Sequence, residues 1–150
     1  MPVTIPEPQF DELYREIVLD HYRRPRNRGE LDDHTARLEG MNPVCGDEIQ
    51  LDLKIEDGRV AEIAFSGQGC SISQASASMM TEQVKGKTTG EAWHVLEAFE
   101  RMMKEEAEPT AELGDLEALQ GVAKFPVRVK CALLAWKVLE DGLKGAAAAK

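Results

Sequence analysis

Between Ile49 and Ile55 the chain alternates in steps of two, and a second apolar run follows as far as Phe65. Ile49, Leu51, Leu53 and Ile55 are apolar, Gln50, Asp52 and Lys54 lie between them, and Val60, Ala61, Ile63, Ala64 and Phe65 follow after Asp57-Gly58. In an extended backbone successive side chains point to opposite faces, so this pattern sets one face of a strand in a core and the other in water. Asp-Gly supplies the positive φ angles of a tight turn, which makes the two runs an antiparallel hairpin. A lone hairpin is marginal in water. A third strand around Ala36 to Glu39 and a covering layer of helices are therefore expected.

Helical spacing governs most of the remainder. Leu13, Ile17, Val18 and Tyr22 recur on one face of a first helix capped by Asp11, and the pattern stops near Pro25 and Gly29. Ser71 to Val84 reads as a second helix. Thr88 or Thr89 caps a third, with Trp93, Leu96, Phe99 and Met103 on its apolar side. A break over Pro109 to Gly114 precedes a short helix marked by Leu113, Leu116 and Leu119. Pro126 sits in the first turn of a last helix carrying Val127, Leu134 and Val138, which ends near Gly142. Residues 1–9, rich in proline, read as a flexible leader and residues 145–150 as a frayed tail. Met79, Met80, Met102, Met103, Trp93 and Trp136 read as core filler. A single domain over 1–150 is expected, since a chain of this length buries about 70% of its unfolded surface and needs no disulfide to hold a core.

Charge and hydropathy narrow the function. Asp and Glu number 27 against 18 Lys and Arg, a net charge of −9, which opposes nonspecific binding to nucleic acid or anionic membranes. The cluster Arg23, Arg24, Arg26 and Arg28 reads as a solvated helix end complementing the helix dipole. The longest apolar runs, such as Ala132 to Trp136, fall far short of the roughly 20 residues that span a bilayer. With no secretory pattern at the start, the expected compartment is the cytoplasm, with neither membrane nor nucleic acid as partner.

Three cysteines cannot all pair within one chain, and in a reducing compartment they are ligands or nucleophiles before they are staples. Cys45 lies in Asn42-Pro43-Val44-Cys45-Gly46-Asp47, just before the strongest strand, two residues from a carboxylate. Residues two apart in an extended chain project to the same side, so Cys45 and Asp47 can converge on one ion. Cys70 follows Gly67-Gln68-Gly69 at a strand-to-helix junction, where free N–H groups and the helix dipole favour a thiolate. Cys131 lies in the first turns of the last helix beside Arg128 and Lys130, cations that favour the charged form of a thiol. Together Cys45, Asp47, Cys70 and Cys131 form a set of three thiolates and a carboxylate, suited to tetrahedral zinc or to an iron–sulfur cluster. The closely spaced C-x-x-C pair usual in structural zinc sites is absent. His21, His34 and His94 are scattered and read as surface or packing residues.

These motifs resemble the SufU and IscU group of iron–sulfur cluster assembly proteins, the NifU-like N-terminal family. The likeness runs from Leu13 to Leu143 and is carried by His21-Tyr22 with Pro25-Arg26-Asn27, by Asn42 to Asp47, by Gly69 to Glu82 and by Arg128 to Ala132. It implies an α+β fold with a three-stranded antiparallel sheet and helices packed mainly on one face. Scaffold members carry a histidine immediately before the third cysteine, where this chain has Lys130, and the stretch from about Thr88 to Gly121 is long, as in the zinc-dependent SufU branch. The resemblance therefore implies zinc held by Cys45, Asp47, Cys70 and Cys131. It also implies acceptance of persulfide sulfur from a SufS-like cysteine desulfurase and transfer to downstream iron–sulfur assembly proteins. The alternative is a scaffold on which a [2Fe-2S] cluster is built. Cys131, supported by Arg128 and Lys130, is the first candidate for the sulfur acceptor and Cys45 the second.

Overall fold

The computed structural model describes residues 12–43, 46–105 and 107–148. Its sheet has three antiparallel strands, β1 (Ala36–Asn42), β2 (Asp47–Glu56) and β3 (Arg59–Gln68), side by side in chain order. The turn after β2 is the one its sequence requires: Asp57 and Gly58 take φ of 52° and 74°, both left-handed, and Glu56 faces Arg59 across it. Register puts Leu38 opposite Leu51 and Leu51 opposite Phe65, with Leu53 opposite Ile63, so the apolar set lines up on one face. Leu51, Leu53 and Phe65 have no exposed surface.

Four helices and a 3-10 segment complete the fold: α1 (Glu12–Arg23), α2 (Ser71–Val84), α3 (Thr89–Lys104), the 3-10 segment Ala111–Lys124, and α4 (Pro126–Ala148). Thr88 caps α3 in a full capping box with Glu91. The region marked by Leu113, Leu116 and Leu119 is 3-10 rather than α, kinked at Gly114, and all three leucines are buried. Helix α4 lies across β1 and β2, while α2 packs on β3 and touches α1 and α4. The helices thus cover the apolar face, as the α+β expectation required. Phe99 of α3 stacks on Trp136 of α4 at 4.7 Å between centroids, and Met79, Met80, Met102 and Met103 are buried in the same core.

Three expectations are revised, and two fall outside the described residues. Helix α4 does not end near Gly142 but runs on to Ala148, so residues 145–148 are helical rather than a frayed tail. Gly142 is a point of close approach: a Cβ there would lie 2.5 Å from Leu53 Cδ1, so the glycine lets the helix settle on the sheet, and the alanines after it are strong helix formers. Asp52 was expected on the water face, yet it is 1% exposed, because residues 28–35 fold over that side of the sheet. Its carboxylate accepts both Arg37 Nε and Nη2 at 2.8 Å, and the Leu31 N–H at 2.8 Å. Tyr22, expected on the buried face of α1, is exposed, while His21 is buried between Ser78 Oγ at 2.8 Å and Asp115 Oδ2 at 3.0 Å. The leader and the Asp11 cap lie outside the described residues.

Arg23, Arg24 and Arg28 are exposed, and Arg24 pairs with Asp20 one turn back, as a solvated helix end should. Among the described residues no helix is long and apolar enough to cross a membrane.

Candidate metal centre

Three segments distant in sequence meet at one end of the sheet. Asp47 opens β2, Cys70 precedes α2 at the end of β3, and Cys131 lies in the second turn of α4. One ligand atom from each falls within 4.8 Å of the other two. Ligands of a tetrahedral zinc with bonds of about 2.0–2.3 Å stand roughly 3.3–3.8 Å apart, so donors within that limit reach one metal by closing in by up to about 1 Å. The donor chemistry also fits: two thiols and a carboxylate, with Asp47 and Cys131 both fully buried and Cys70 partly exposed. A buried carboxylate beside sulfur is costly unless a cation or hydrogen bonds offset it. Cys45, the fourth expected ligand, lies outside the described residues.

The local sequence holds this geometry. Asp47 Oδ1 accepts the backbone N–H of Cys70 at 2.8 Å, and Asp47 Oδ2 lies 4.0 Å from the Cys70 sulfur. Gly69 makes room for that arrangement, since a Cβ there would sit 2.3 Å from Asp47 Oδ1 and 2.7 Å from Ser73 Oγ. Cys70 is the N-cap of α2, its sulfur accepting the Ser73 N–H at 3.5 Å. These contacts act on the thiol. A hydrogen bond with Cys131, aided by the backbone N–H groups of Ser73 and Ile72, brings Cys70 down to about 7 against the opposing effects of burial and Asp47. A thiol so placed is substantially thiolate at neutral pH and ready to bind metal.

Around Cys131 the expected cations separate. Lys130 is exposed and lines a neighbouring groove, whereas Arg128 is half-buried with its Nε wholly covered. Asn42, to which the motif reading gave no role, is buried, and its Nδ2 approaches Cys131 Sγ at 3.9 Å. The signal for it is register: Asn42 pairs with Asp47 across β1 and β2, which becomes visible only once β1 is known to run beyond Glu39.

Comparison with known proteins agrees with this geometry. The family model described as the NifU-like N terminal domain matches residues 13–132. The chain is 49% identical to the zinc-dependent sulfurtransferase SufU of Bacillus subtilis, over 89% of this chain and 91% of that protein. It is 43% identical to the iron–sulfur cluster assembly scaffold protein IscU of Streptococcus pyogenes, over 95% of this chain and 89% of that one. Among solved structures it superposes on a putative iron–sulfur cluster assembly scaffold protein for the SUF system from Fervidobacterium islandicum with a TM-score of 0.80 at 36% identity, over 85% of this chain and 94% of that one. With the three donors converging at the end of the sheet where the family's motifs lie, the chain belongs to the NifU-like N-terminal domain family of iron–sulfur cluster assembly proteins.

Proposed function

We propose that this protein is a zinc-dependent sulfur acceptor that takes persulfide sulfur from a SufS-like cysteine desulfurase in the cytoplasm and passes it to downstream iron–sulfur assembly proteins. The observation that carries the reading is the convergence of the Asp47, Cys70 and Cys131 donor atoms at one largely buried point. The identity to a zinc-dependent sulfurtransferase supports it. So does Lys130, an exposed residue that stands where the resemblance places a histidine in scaffold members. Zinc held by Cys45, Asp47, Cys70 and Cys131 would supply a resting state in which the thiols stay deprotonated at neutral pH.

The sequence reading puts Cys131 first and Cys45 second as sulfur acceptor, and the burial of Cys131 supports proposing the opposite order. A sulfur with no exposed surface makes a poor first nucleophile toward a group carried on another protein. Cys45, which falls in sequence between β1 and β2 two residues before Asp47, is therefore proposed as the first acceptor. In the transfer its thiolate attacks the outer sulfur of the partner's persulfide. The partner's S–S bond breaks, its cysteine leaves as a thiolate, and a new S–S bond forms on Cys45, with no net oxidation or reduction. Cys131 and Cys70 then hold the site together, with the buried Nε of Arg128 close in the chain to Cys131.

The test is to incubate the zinc-loaded protein with a cysteine desulfurase and L-cysteine, alkylate, and map the added sulfur by mass spectrometry of peptides. Extra sulfur on the Cys45 peptide is the expected result. Sulfur confined to the Cys131 peptide would restore the original order, and none on any peptide would remove the sulfur-acceptor reading.

A further inference from the structure

Beside the metal centre, between the end of β1, the end of α3 and one face of α4, lies an open groove of about 510 Å³. Met41, Leu133 and Leu134 contribute to its apolar wall, and Lys104, Lys130 and Lys137 stand on it. Among the described residues no Asp or Glu lines it. That distribution is opposite to the chain as a whole, in which acidic residues outnumber basic ones 27 to 18. Met41 is 64% exposed, a large apolar side chain held in water on the wall of the groove. Its neighbour Asn42 also lines the groove and approaches Cys131 Sγ at 3.9 Å. Lys104 has one ion-pair partner, Glu100 at 3.7 Å, and no ion pair among the described residues engages Lys130 or Lys137.

We infer that this groove receives an acidic segment of the sulfur-donating partner, with an apolar side chain seated against Met41, Leu133 and Leu134 and carboxylates facing Lys104, Lys130 and Lys137. Three cations and no anion on an apolar wall select for a segment of opposite charge, and they attract it over about a Debye length before contact. The volume is that of a site for a few side chains rather than a whole domain face. Its position gives docking a purpose, because a segment anchored at Met41 lies beside the strand end that leads through Pro43 to Cys45. The inference rests on the sulfur-acceptor reading and names the partner surface that reading needs.

The experiment titrates the zinc-loaded full chain against a SufS-like cysteine desulfurase and reads alanine release at low and high salt. It compares the natural protein with K104E/K137E and K104R/K137R, leaving Lys130 untouched beside Cys131. The charge-reversed protein is expected to need about tenfold more protein for half-maximal stimulation at low salt, with the same rate at saturation and the same zinc content. Its salt dependence should flatten, and the arginine variant should behave as the natural protein. Unchanged half-saturation in K104E/K137E would overturn the inference while leaving the sulfur-acceptor reading standing. Failure of the natural protein to stimulate the desulfurase at all would remove both. A natural protein that dimerises in sedimentation, with K104E/K137E monomeric and unchanged in stimulation, would assign the groove to a second copy of this chain and overturn the inference as well.

Discussion

The carboxylate of Asp47 and the amide of Cys70 form one unit: Asp47 Oδ1 accepts the Cys70 N–H at 2.8 Å, so the residue that opens β2 fixes the residue that caps α2. Strand and helix are thereby held at the spacing the metal donors need, and Gly69 is the position that allows it.

Gly69→Ala should therefore damage the metal centre more than the fold. The added Cβ would strike Asp47 Oδ1 and Ser73 Oγ, moving Cys70 as well as the carboxylate. Zinc affinity in a chelator competition is expected to fall by about 10- to 100-fold, the usual cost of disturbing groups that orient metal ligands. Gly145→Ala is the control, since a Cβ there meets nothing within 4 Å and alanine favours the helix. Equal zinc affinity in the two variants would contradict the role given to Gly69.

Asp47 is the one oxygen donor among sulfurs, and a carboxylate exchanges on zinc more readily than a thiolate. Asp47→Ala loses a donor and the acceptor of the Cys70 N–H, so it is expected to hold zinc less tightly than the natural protein, but to release it to a chelator more slowly than Cys70→Ala does. Desulfurase stimulation should be lost. Zinc loss as fast as that of Cys70→Ala, or stimulation at the natural rate, would contradict the exchangeable role.

Ser76 joins α2 to α4 below the metal centre. Its hydroxyl donates to the Ala132 carbonyl at 2.7 Å and accepts Trp136 Nε1 at 3.0 Å, all in a fully buried setting. Ser76→Ala leaves that indole N–H and that carbonyl without this partner, a change expected to cost about 1–3 kcal/mol in urea unfolding. A loss below a few tenths of a kcal/mol would mean that water or repacking replaces the hydroxyl.

The Arg37–Asp52 pair predicts an acid limb. The Arg37 guanidinium beside Asp52, with the Leu31 N–H, holds the Asp52 carboxyl below its usual value of 3.8 despite the opposing effect of burial. A carboxyl lowered in the folded state stabilises the protein above the unfolded value, and that contribution disappears as pH falls through the folded one. Asp52→Asn should thus cost about 2 kcal/mol near neutral pH, and the gap from the natural protein should shrink steadily below pH 3.8. A gap independent of pH would mean the loss is one of packing rather than charge.

Much of this structure was legible in the residues because local signals and tertiary packing agree. The alternation from Ile49 to Ile55, the Asp57-Gly58 turn, the α2 span Ser71–Val84 and the Thr88 cap all recur in the fold. What escaped is what depends on elements far apart in sequence. Asp52 reads as a water-facing strand residue until residues 28–35 are seen to cover it, and Gly142 reads as a helix stop until Leu53 is found against it. At the metal centre, the motifs bring Asp47, Cys70 and Cys131 into one set, but sequence spacing carries no sign that Cys131 is buried, that Lys130 faces the groove, or that Asn42 reaches a thiol. Each of these depends on the rotation of α4 over the sheet, which periodicity fixes only to within a helix face.

The central claim is that these donors hold zinc for sulfur transfer, and metal analysis of aerobically purified protein joined to a desulfurase-stimulation assay tests it most directly. The account predicts about one zinc per chain, no visible absorbance, and faster alanine release when the protein is added to a cysteine desulfurase. Iron and labile sulfide with a charge-transfer band, retained through anaerobic purification and without stimulation of the desulfurase, would contradict it and make the same donors a cluster-building site.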